Sequence, residues 1–223
     1  MGGAAPSPLW YATRATGEIA LVLLTVTVVL GIVGSSGASS RSWPRVVTAG
    51  LHRNLSLLAV AFVAVHVATT LLDTFVHIGL TAAVVPFSSG YRTLWLGLGT
   101  IASDLLLAVV LTSLVRDRLP WPAWRAVHWL GYACWPVAVW HGLGTGTDGR
   151  LPWLLLLDAA CLVAVAAAAW WRLGWAQPSW RTAGRAMTAI LVLATLLFTV
   201  TGPLQAGWAR RAGTPRHLLS EQR

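Results

Sequence analysis

Charged residues are scarce in this chain, and lysine is missing altogether. Only 10% of the 223 residues are charged, whereas 56% are hydrophobic. A soluble domain carries roughly a quarter charged residues to cover its surface, so a soluble fold is excluded. The abundance of apolar side chains also excludes a disordered chain. The apolar runs are long enough for helices rather than barrel strands, and we predict an all-α, polytopic membrane protein.

The basic residues do not form a nucleic-acid footprint, although the net charge is +9. All 16 are arginines that lie singly or in pairs between apolar runs, with no basic face along a helix. This distribution suits loops that face an anionic cytoplasmic leaflet, so the predicted partner is membrane lipid and not nucleic acid. A lysine-free composition rich in Ala, Gly, Arg and Trp is typical of a GC-rich bacterial genome.

Cysteine is nearly absent as well. Cys134 and Cys161 are the only two, and both lie within apolar runs far apart in the sequence. They fit neither a disulfide framework nor a cysteine-ligated cluster. We predict two small thiols that fill the protein core.

Apolar windows of roughly 20 residues predict a bundle of six transmembrane helices. This bundle makes up a membrane domain at 19–202, between an extracytoplasmic segment at 1–18 and a tail at 203–223. The long connection at 73–94 is predicted to hold an interfacial segment. The spans cover residues 19–33, 48–72, 94–115, 123–143, 152–171 and 186–201.

The arginines predict how these six helices are oriented. One side of the membrane carries nine arginines in or beside the connections between spans 1–2, 3–4 and 5–6. The positive-inside rule places that side in the cytoplasm, and both termini outside a bacterial cytoplasmic membrane. The nine are Arg41, Arg45, Arg53, Arg116, Arg118, Arg125, Arg172, Arg181 and Arg185. The opposite side carries Arg14, Arg92, Arg150 and the tail arginines Arg210, Arg211, Arg216 and Arg223.

The first span also has the length of a cleaved secretory signal, because small residues follow its 15-residue apolar core. Its removal would invert every later helix relative to the arginines. We therefore predict that the first span is retained.

Four of the six histidines form two pairs on the second and fourth spans. His52 and His66 are 14 residues apart, and His128 and His141 are 13 apart. The two spans run parallel, which places His52 and His128 at the cytoplasmic end. Fourteen helical residues rise about 21 Å and return to within roughly 40° of the same face. The pattern predicts two cofactor positions in opposite leaflets.

The spacing of 13 residues would leave His128 and His141 roughly 140° apart on an ideal helix. Pro136 lies between them, and a proline removes a helical hydrogen bond and allows a kink. We predict distorted helical geometry near residues 133–136, which turns both side chains inward.

Paired imidazoles suit haem iron, which accepts two axial histidines and then favours electron transfer. A metal-ion transporter using the same histidines and a haem-free structural or assembly subunit are the alternatives from other classes. Transporters usually place carboxylates beside such histidines, and the middle of spans 2 and 4 has none. His77 and His217 have no partner at ligand spacing and are predicted to be surface residues.

Three stretches carry a family resemblance: LHRNLSLL at 51–58 followed by His66, PFSSGYRTLW at 86–95, and WRAVHWL at 124–130 followed by His141. They resemble the ferric reductase-like transmembrane domain over about residues 15–175. That superfamily includes the membrane cores of NADPH oxidases, yeast-type ferric reductases and the haem subunit of a bacterial methionine sulfoxide reductase system.

The resemblance implies two b-type haems: an inner one held by His52 and His128, and an outer one held by His66 and His141. Electrons would pass from a cytoplasmic-side donor to an extracytoplasmic redox partner, for example a flavoprotein. Family members usually continue into a flavin and nicotinamide domain, which this sequence does not contain. We therefore expect a redox subunit with a separate protein or quinol as donor; a quinol-oxidising cytochrome b is the alternative within redox chemistry.

Five charged residues are further candidates. Arg53 and Arg125 beside the inner haem, and Arg92 near the outer one, could pair with haem propionates; membrane anchoring explains Arg53 and Arg125 equally well. Asp104 and Asp158 lie inside their helices toward the outer end, where a carboxylate is costly. They could accept the proton of a haem-ligand imidazole, serve a proton path, or only lock helices together.

Overall fold

The computed structural model of the protein describes residues 7–36, 44–146 and 151–215. Some residues used above lie outside these ranges, namely Arg41, Arg150, Arg216, His217 and Arg223.

The described residues are mainly helical and include no strand. Five helices, α1, α2, α4, α7 and α8, are long and apolar enough to cross a membrane, which confirms the predicted all-α polytopic fold. The helices in chain order are α1 (Pro8–Ser35), α2 (Arg45–Leu72), α3 (Leu80–Val84), α4 (Thr93–Leu114), α5 (Trp121–His128), α6 (Leu130–Thr145), α7 (Pro152–Leu173), α8 (Pro178–Thr201) and α9 (Trp208–Arg211), with a 3₁₀ turn at Arg116–Arg118.

Helix α1 begins well before the apolar core that marked the first span. The Ser7 side chain accepts a hydrogen bond from the Trp10 main-chain nitrogen (3.0 Å), and Pro8 occupies the first helical position. Both are typical of a helix start. The Ser7 hydroxyl also donates to Asp73 at the end of α2 (2.5 Å). The first turns of α1 are thereby held beside the last turn of α2.

The fourth predicted span consists of two helices, because the helix is interrupted at Trp129 between α5 and α6. The predicted distortion therefore exists, and it lies at Trp129, four residues before the stretch near which it was predicted. Pro136 lies within α6 and cannot donate a hydrogen bond to the carbonyl four residues earlier, at Tyr132. The chain adjusts in the turn before that carbonyl, where the Tyr132 nitrogen bonds the Trp129 oxygen at 3.0 Å.

Helix α1 packs along α2 and also contacts α6 and α7, while α4 packs on α6 and α7 on α8. Cys134 and Cys161 are both buried free thiols, which confirms their predicted place in the core. Outward-facing leucines such as Leu193 and Leu197 on α8 remain exposed, as expected for helix faces that contact lipid. The central apolar cluster comprises Leu24, Ala59, Trp135, Val139, Leu143, Cys161 and Leu162.

The long connection after α2 contains the short helix α3. The Thr100 hydroxyl on α4 donates to the Ala82 carbonyl (2.7 Å) and fastens α3 to α4. His77 in the same connection is exposed, as predicted.

Candidate functional site

The structure brings the four histidines together in the two pairs that their spacing predicts. The ring centroids of His52 and His128 are 6.1 Å apart, with an angle of 65° between the ring planes. Those of His66 and His141 are 6.2 Å apart, at 83°. We call these the inner pair and the outer pair. Each joins α2 to the divided fourth span, so the interruption at Trp129 allows both His128 and His141 to face α2.

The spacing within each pair fits a single metal atom between two imidazoles. A metal–imidazole bond is about 2.0 Å long and the ring centre lies about 1.1 Å beyond the nitrogen, so two imidazoles on opposite sides of one metal would place their centres roughly 6.2 Å apart. Both pairs therefore fit the axial ligands of a haem iron.

Three of the four imidazoles are oriented by main-chain carbonyls. The Nδ1 atom of His52 lies 3.0 Å from the Thr27 oxygen, and that of His66 lies 2.8 Å from the Thr13 oxygen. On the other helix, Nδ1 of His141 lies 2.8 Å from the Trp95 oxygen. A carbonyl oxygen can only accept a hydrogen bond, so Nδ1 carries the proton in each of these three rings. The Nε2 atom keeps its lone pair for a metal.

A glycine stands beside each of these three rings. A Cβ atom added to Gly99 would lie 2.5 Å from Cε1 and Nδ1 of His141, and one added to Gly17 would lie 3.0 Å from the same atoms of His66. At Gly31 it would lie 3.3 Å from Cε1 of His52. Each glycine lies four positions after the residue whose carbonyl the ring contacts, which is one helical turn further along the same face. The ring can reach that carbonyl because the glycine beside it has no side chain.

This pairing of carbonyl and glycine was missed in the sequence, although it leaves a signal there. Thr13 and Gly17 recur 14 residues later as Thr27 and Gly31, and the spacing of 14 is also that of His52 and His66. Helix α1 thus repeats one binding arrangement for the two histidines of α2. The signal is weak in isolation because any residue type supplies a carbonyl.

His128 is held differently from the other three. Its ring stacks on Trp124 with centroids 4.7 Å apart, and Trp124 in turn stacks on Trp121 at 5.0 Å. Arg116 covers Trp124 from another side, with its guanidinium carbon 5.1 Å from the ring centroid. The Nδ1 atom of His128 is buried and has no hydrogen-bond partner among the described residues. Aromatic stacking therefore replaces the carbonyl in orienting this ring.

A large cavity opens beside the outer pair between α1, α2, α4 and α6, and His66 and His141 line it. Most of its lining is apolar, and Arg14, Glu18, Tyr91 and Asp158 are among the polar side chains that reach it. We call it the outer cavity. Its position and lining fit a large, mainly apolar cofactor with charged substituents.

The two candidate aspartates occupy different environments. Asp158 is half-buried on α7 and lines the outer cavity, whereas Asp104 is exposed on α4. Neither accepts the Nδ1 proton of His52, His66 or His141, because main-chain oxygens do so. The structure therefore brings Asp158, but not Asp104, toward the outer pair.

The three candidate arginines also differ. Arg53 is exposed, as is Arg125, whose guanidinium carbon lies 5.0 Å from the Trp129 ring centroid. Arg92 is 0% exposed, and its Nη2 atom has no hydrogen-bond partner among the described residues. A buried guanidinium with one unused donor group is suited to an anion.

The family described as "Ferric reductase like transmembrane component" matches residues 16–139, which is more than half of the chain. The match includes His52, His66 and His128 and ends two residues before His141. No curated protein and no solved structure matches the chain.

Proposed function

The chain belongs to the ferric reductase-like transmembrane family, and on that premise we propose that it carries electrons across the membrane through two b-type haems. The inner haem would be held by His52 and His128, and the outer haem by His66 and His141. The family supports membrane electron transfer and haem binding in general. The number of haems, their ligands and the direction of transfer are our proposals.

The observation that carries this proposal is the separation of 6.1 and 6.2 Å between the paired imidazole rings. Haem iron bound between two imidazoles has no open position for oxygen, and its chemistry is one-electron transfer. The carbonyls of Thr13, Thr27 and Trp95 keep three rings in the tautomer that presents Nε2. These contacts would hold the three rings in a fixed orientation toward a bound haem.

The two pairs are positioned to divide the membrane into shorter electron-transfer steps. His52 and His66 are 14 residues apart on α2, and that distance corresponds to about 21 Å along a helix. The exposed arginines Arg53, Arg116 and Arg125 lie at the end of the bundle that holds the inner pair. The positive-inside rule then places the inner pair on the cytoplasmic side of a bacterial membrane.

Electrons would enter at the inner pair from a separate protein or a quinol. They would leave at the outer pair to an extracytoplasmic redox partner, for example a flavoprotein. We assign the propionates of the inner haem to Arg53 and Arg125, which are exposed where a charged group can reach them. Arg92 is assigned to the outer haem because its buried Nη2 atom has no protein acceptor among the described residues.

The direct test is the haem content of the purified protein. We expect two haems per chain by the pyridine haemochrome assay, and a reduced-minus-oxidised spectrum of the b type with two components in a redox titration. A folded protein that stays colourless after haem supplementation would contradict electron transfer and leave the two alternatives from other classes, a metal-ion transporter and a haem-free structural or assembly subunit. One haem per chain would contradict the two-site arrangement while preserving the redox class.

Replacing Asp158 and Asp104 by asparagine should give different results. Where the Asp158 carboxyl is ionised, removing its negative charge makes the ferrous form of a nearby haem relatively more stable, so Asp158→Asn should raise the midpoint potential of the outer haem in a titration at alkaline pH. Asp104→Asn is the matched control and should change neither haem, because its side chain is exposed on α4. Redox titration of both variants measures the difference. Equal shifts in the two variants would show that distance from the outer cavity does not matter.

A further inference from the structure

Arg92 has a backbone conformation that needs an explanation. It immediately precedes α4 and has φ 42° and ψ 51°, in the left-handed region that residues other than glycine rarely adopt. Its side chain is completely buried. Strained residues persist only where the surroundings over-determine them, and they concentrate at functional sites.

The hydrogen bonds of Arg92 join three parts of the chain. Its main-chain nitrogen donates to the Gly213 oxygen (3.1 Å), and its Nε donates to the Thr214 hydroxyl (2.9 Å). Its Nη1 donates to the carbonyl of Gly144 (3.0 Å) at the end of α6. A cation is favourable there because the last carbonyls of a helix carry partial negative charge. Arg92 therefore links α4, the end of α6 and the C-terminal segment.

The segment at 203–214, which we call the C-terminal strap, packs on the residue that orients His141. The Trp208 ring lies 5.5 Å from the Trp95 ring and 5.6 Å from Phe198, and Trp95 stacks on Phe198 at 4.6 Å. The main-chain carbonyl of Trp95 is the one that accepts the hydrogen bond from Nδ1 of His141. The strap thus contacts the side chain of the same residue whose main chain positions an outer ligand.

The strap reaches Arg92 through a glycine that is itself in the left-handed region. Gly213 has φ 91°, and a Cβ atom there would lie 3.6 Å from the Arg92 Cα. A side chain at this position would be strained whatever the available space. The close main-chain contact between Gly213 and Arg92 therefore depends on glycine. Arg92 lies within the residues that the family match covers, whereas Gly213 lies beyond their end at residue 139.

We propose that the C-terminal strap is a fixed part of the outer site and that Arg92 is the positioning residue that couples it to His141. The inference rests on the proposed function, because it assigns His141 to a haem. With the strap in place, Arg92 holds the end of α6 against the start of α4, and Trp95 is held between Phe198 and Trp208. The His141 ring then keeps a single orientation. Without these contacts, α6 and Trp95 move independently and the ring loses its fixed carbonyl.

Two variants test the strap without removing the charge of Arg92. Thr214→Val removes the acceptor of the Nε bond, and Gly213→Ala strains the turn that brings the strap to Arg92. We expect both to change the resonance Raman and EPR signals of the outer haem, with the inner haem unchanged as an internal reference. Arg92→Gln should give a larger change in the same signals. Arg92→Lys should not restore them, because an ammonium cannot reproduce the divergent donors of a guanidinium.

Thr188→Val is the matched control, because the Thr188 hydroxyl donates to the Gly184 carbonyl of its own helix α8 (2.9 Å) and to no other acceptor among the described residues. It should leave both haem signals as they are. If Arg92→Gln alters the outer haem but Thr214→Val and Gly213→Ala do not, then Arg92 acts on the haem alone and the proposal for the strap is wrong.

Hydrogen exchange of the haem-free protein separates this inference from the proposed function. Loss of a buried hydrogen bond should speed amide exchange about tenfold at residues 94–99 and 141–146 in the Thr214→Val variant. Unchanged exchange at both segments would overturn the coupling. If the protein never takes up haem but the Thr214→Val variant still exchanges faster at these segments, the proposed function is contradicted. The mechanical link between the strap and His141 then still holds.

Discussion

Replacing His141 by alanine is expected to remove the outer haem and to leave the inner haem spectrum unchanged. The structure pairs His141 only with His66, at 6.2 Å between ring centroids, and the inner pair lies further along the bundle. Loss of an axial ligand should reduce occupancy of the outer site to about a tenth or less, since even the loss of a contact that supports a ligand costs ten- to a hundredfold in metal affinity. His66→Ala should give the same spectrum.

The inner pair should behave reciprocally. His52→Ala and His128→Ala are expected to remove the inner haem and to preserve the outer one, as measured by haem content and by redox titration of each variant. His77→Ala is the matched control, because His77 is exposed in the connection after α2. Two variants of one pair that remove different haem species would contradict the assignment of partners. Loss of both haems in every variant would mean that the sites are not independent.

The second large effect is expected from an added methyl group at Gly99. A Cβ atom there would lie 2.5 Å from the His141 ring, a distance that real Cβ contacts essentially never show. The ring must move away from the Trp95 carbonyl, so Gly99→Ala should lower outer haem occupancy about tenfold or more. Alanine favours the helical state by roughly 1 kcal/mol over glycine, so weaker helix formation cannot explain this loss.

The three glycines should follow the order of their distances. Gly99→Ala should have the largest effect and Gly17→Ala a smaller one on the same haem, because the added Cβ would lie 3.0 Å from His66. Gly31→Ala should have the mildest effect, and on the inner haem, because its distance to His52 is 3.3 Å. Gly131→Ala is the control, since its Cβ would meet nothing within 4 Å. Equal haem content in Gly99→Ala and Gly131→Ala would show that these glycines do not support the ligands.

A window of apolar residues predicts the start of helix α1 too late in the sequence. The window begins at residue 19, but the helix begins at Pro8 and includes Thr13 and Gly17, which hold His66. Arg14 and Glu18 lower the apolar content of this part, yet both line the outer cavity rather than lipid. A span that carries a polar site on one face is underestimated by any measure that averages over all faces.

The divided fourth span shows that a sequence pattern can predict a helix distortion without giving its position. The spacing of 13 residues and Pro136 predict that a regular helix cannot face α2 with both His128 and His141. The position of the interruption, at Trp129, depends on how Trp124 stacks on His128 and how α6 packs against α4. The packing of α6 on α4 joins residues distant in sequence, and the local pattern therefore could not locate the break.

By itself the sequence determined the class of fold, the four histidines and their division into two pairs, because these follow from apolar run length and from helical periodicity. Only the tertiary structure decided what orients each ring: the carbonyls of Thr13, Thr27 and Trp95 for three of them, and Trp124 for His128. It likewise decided that Asp158 rather than Asp104 reaches the outer cavity. Main-chain groups have no sequence signature, and the depth of a side chain in a bundle depends on which neighbours cover it.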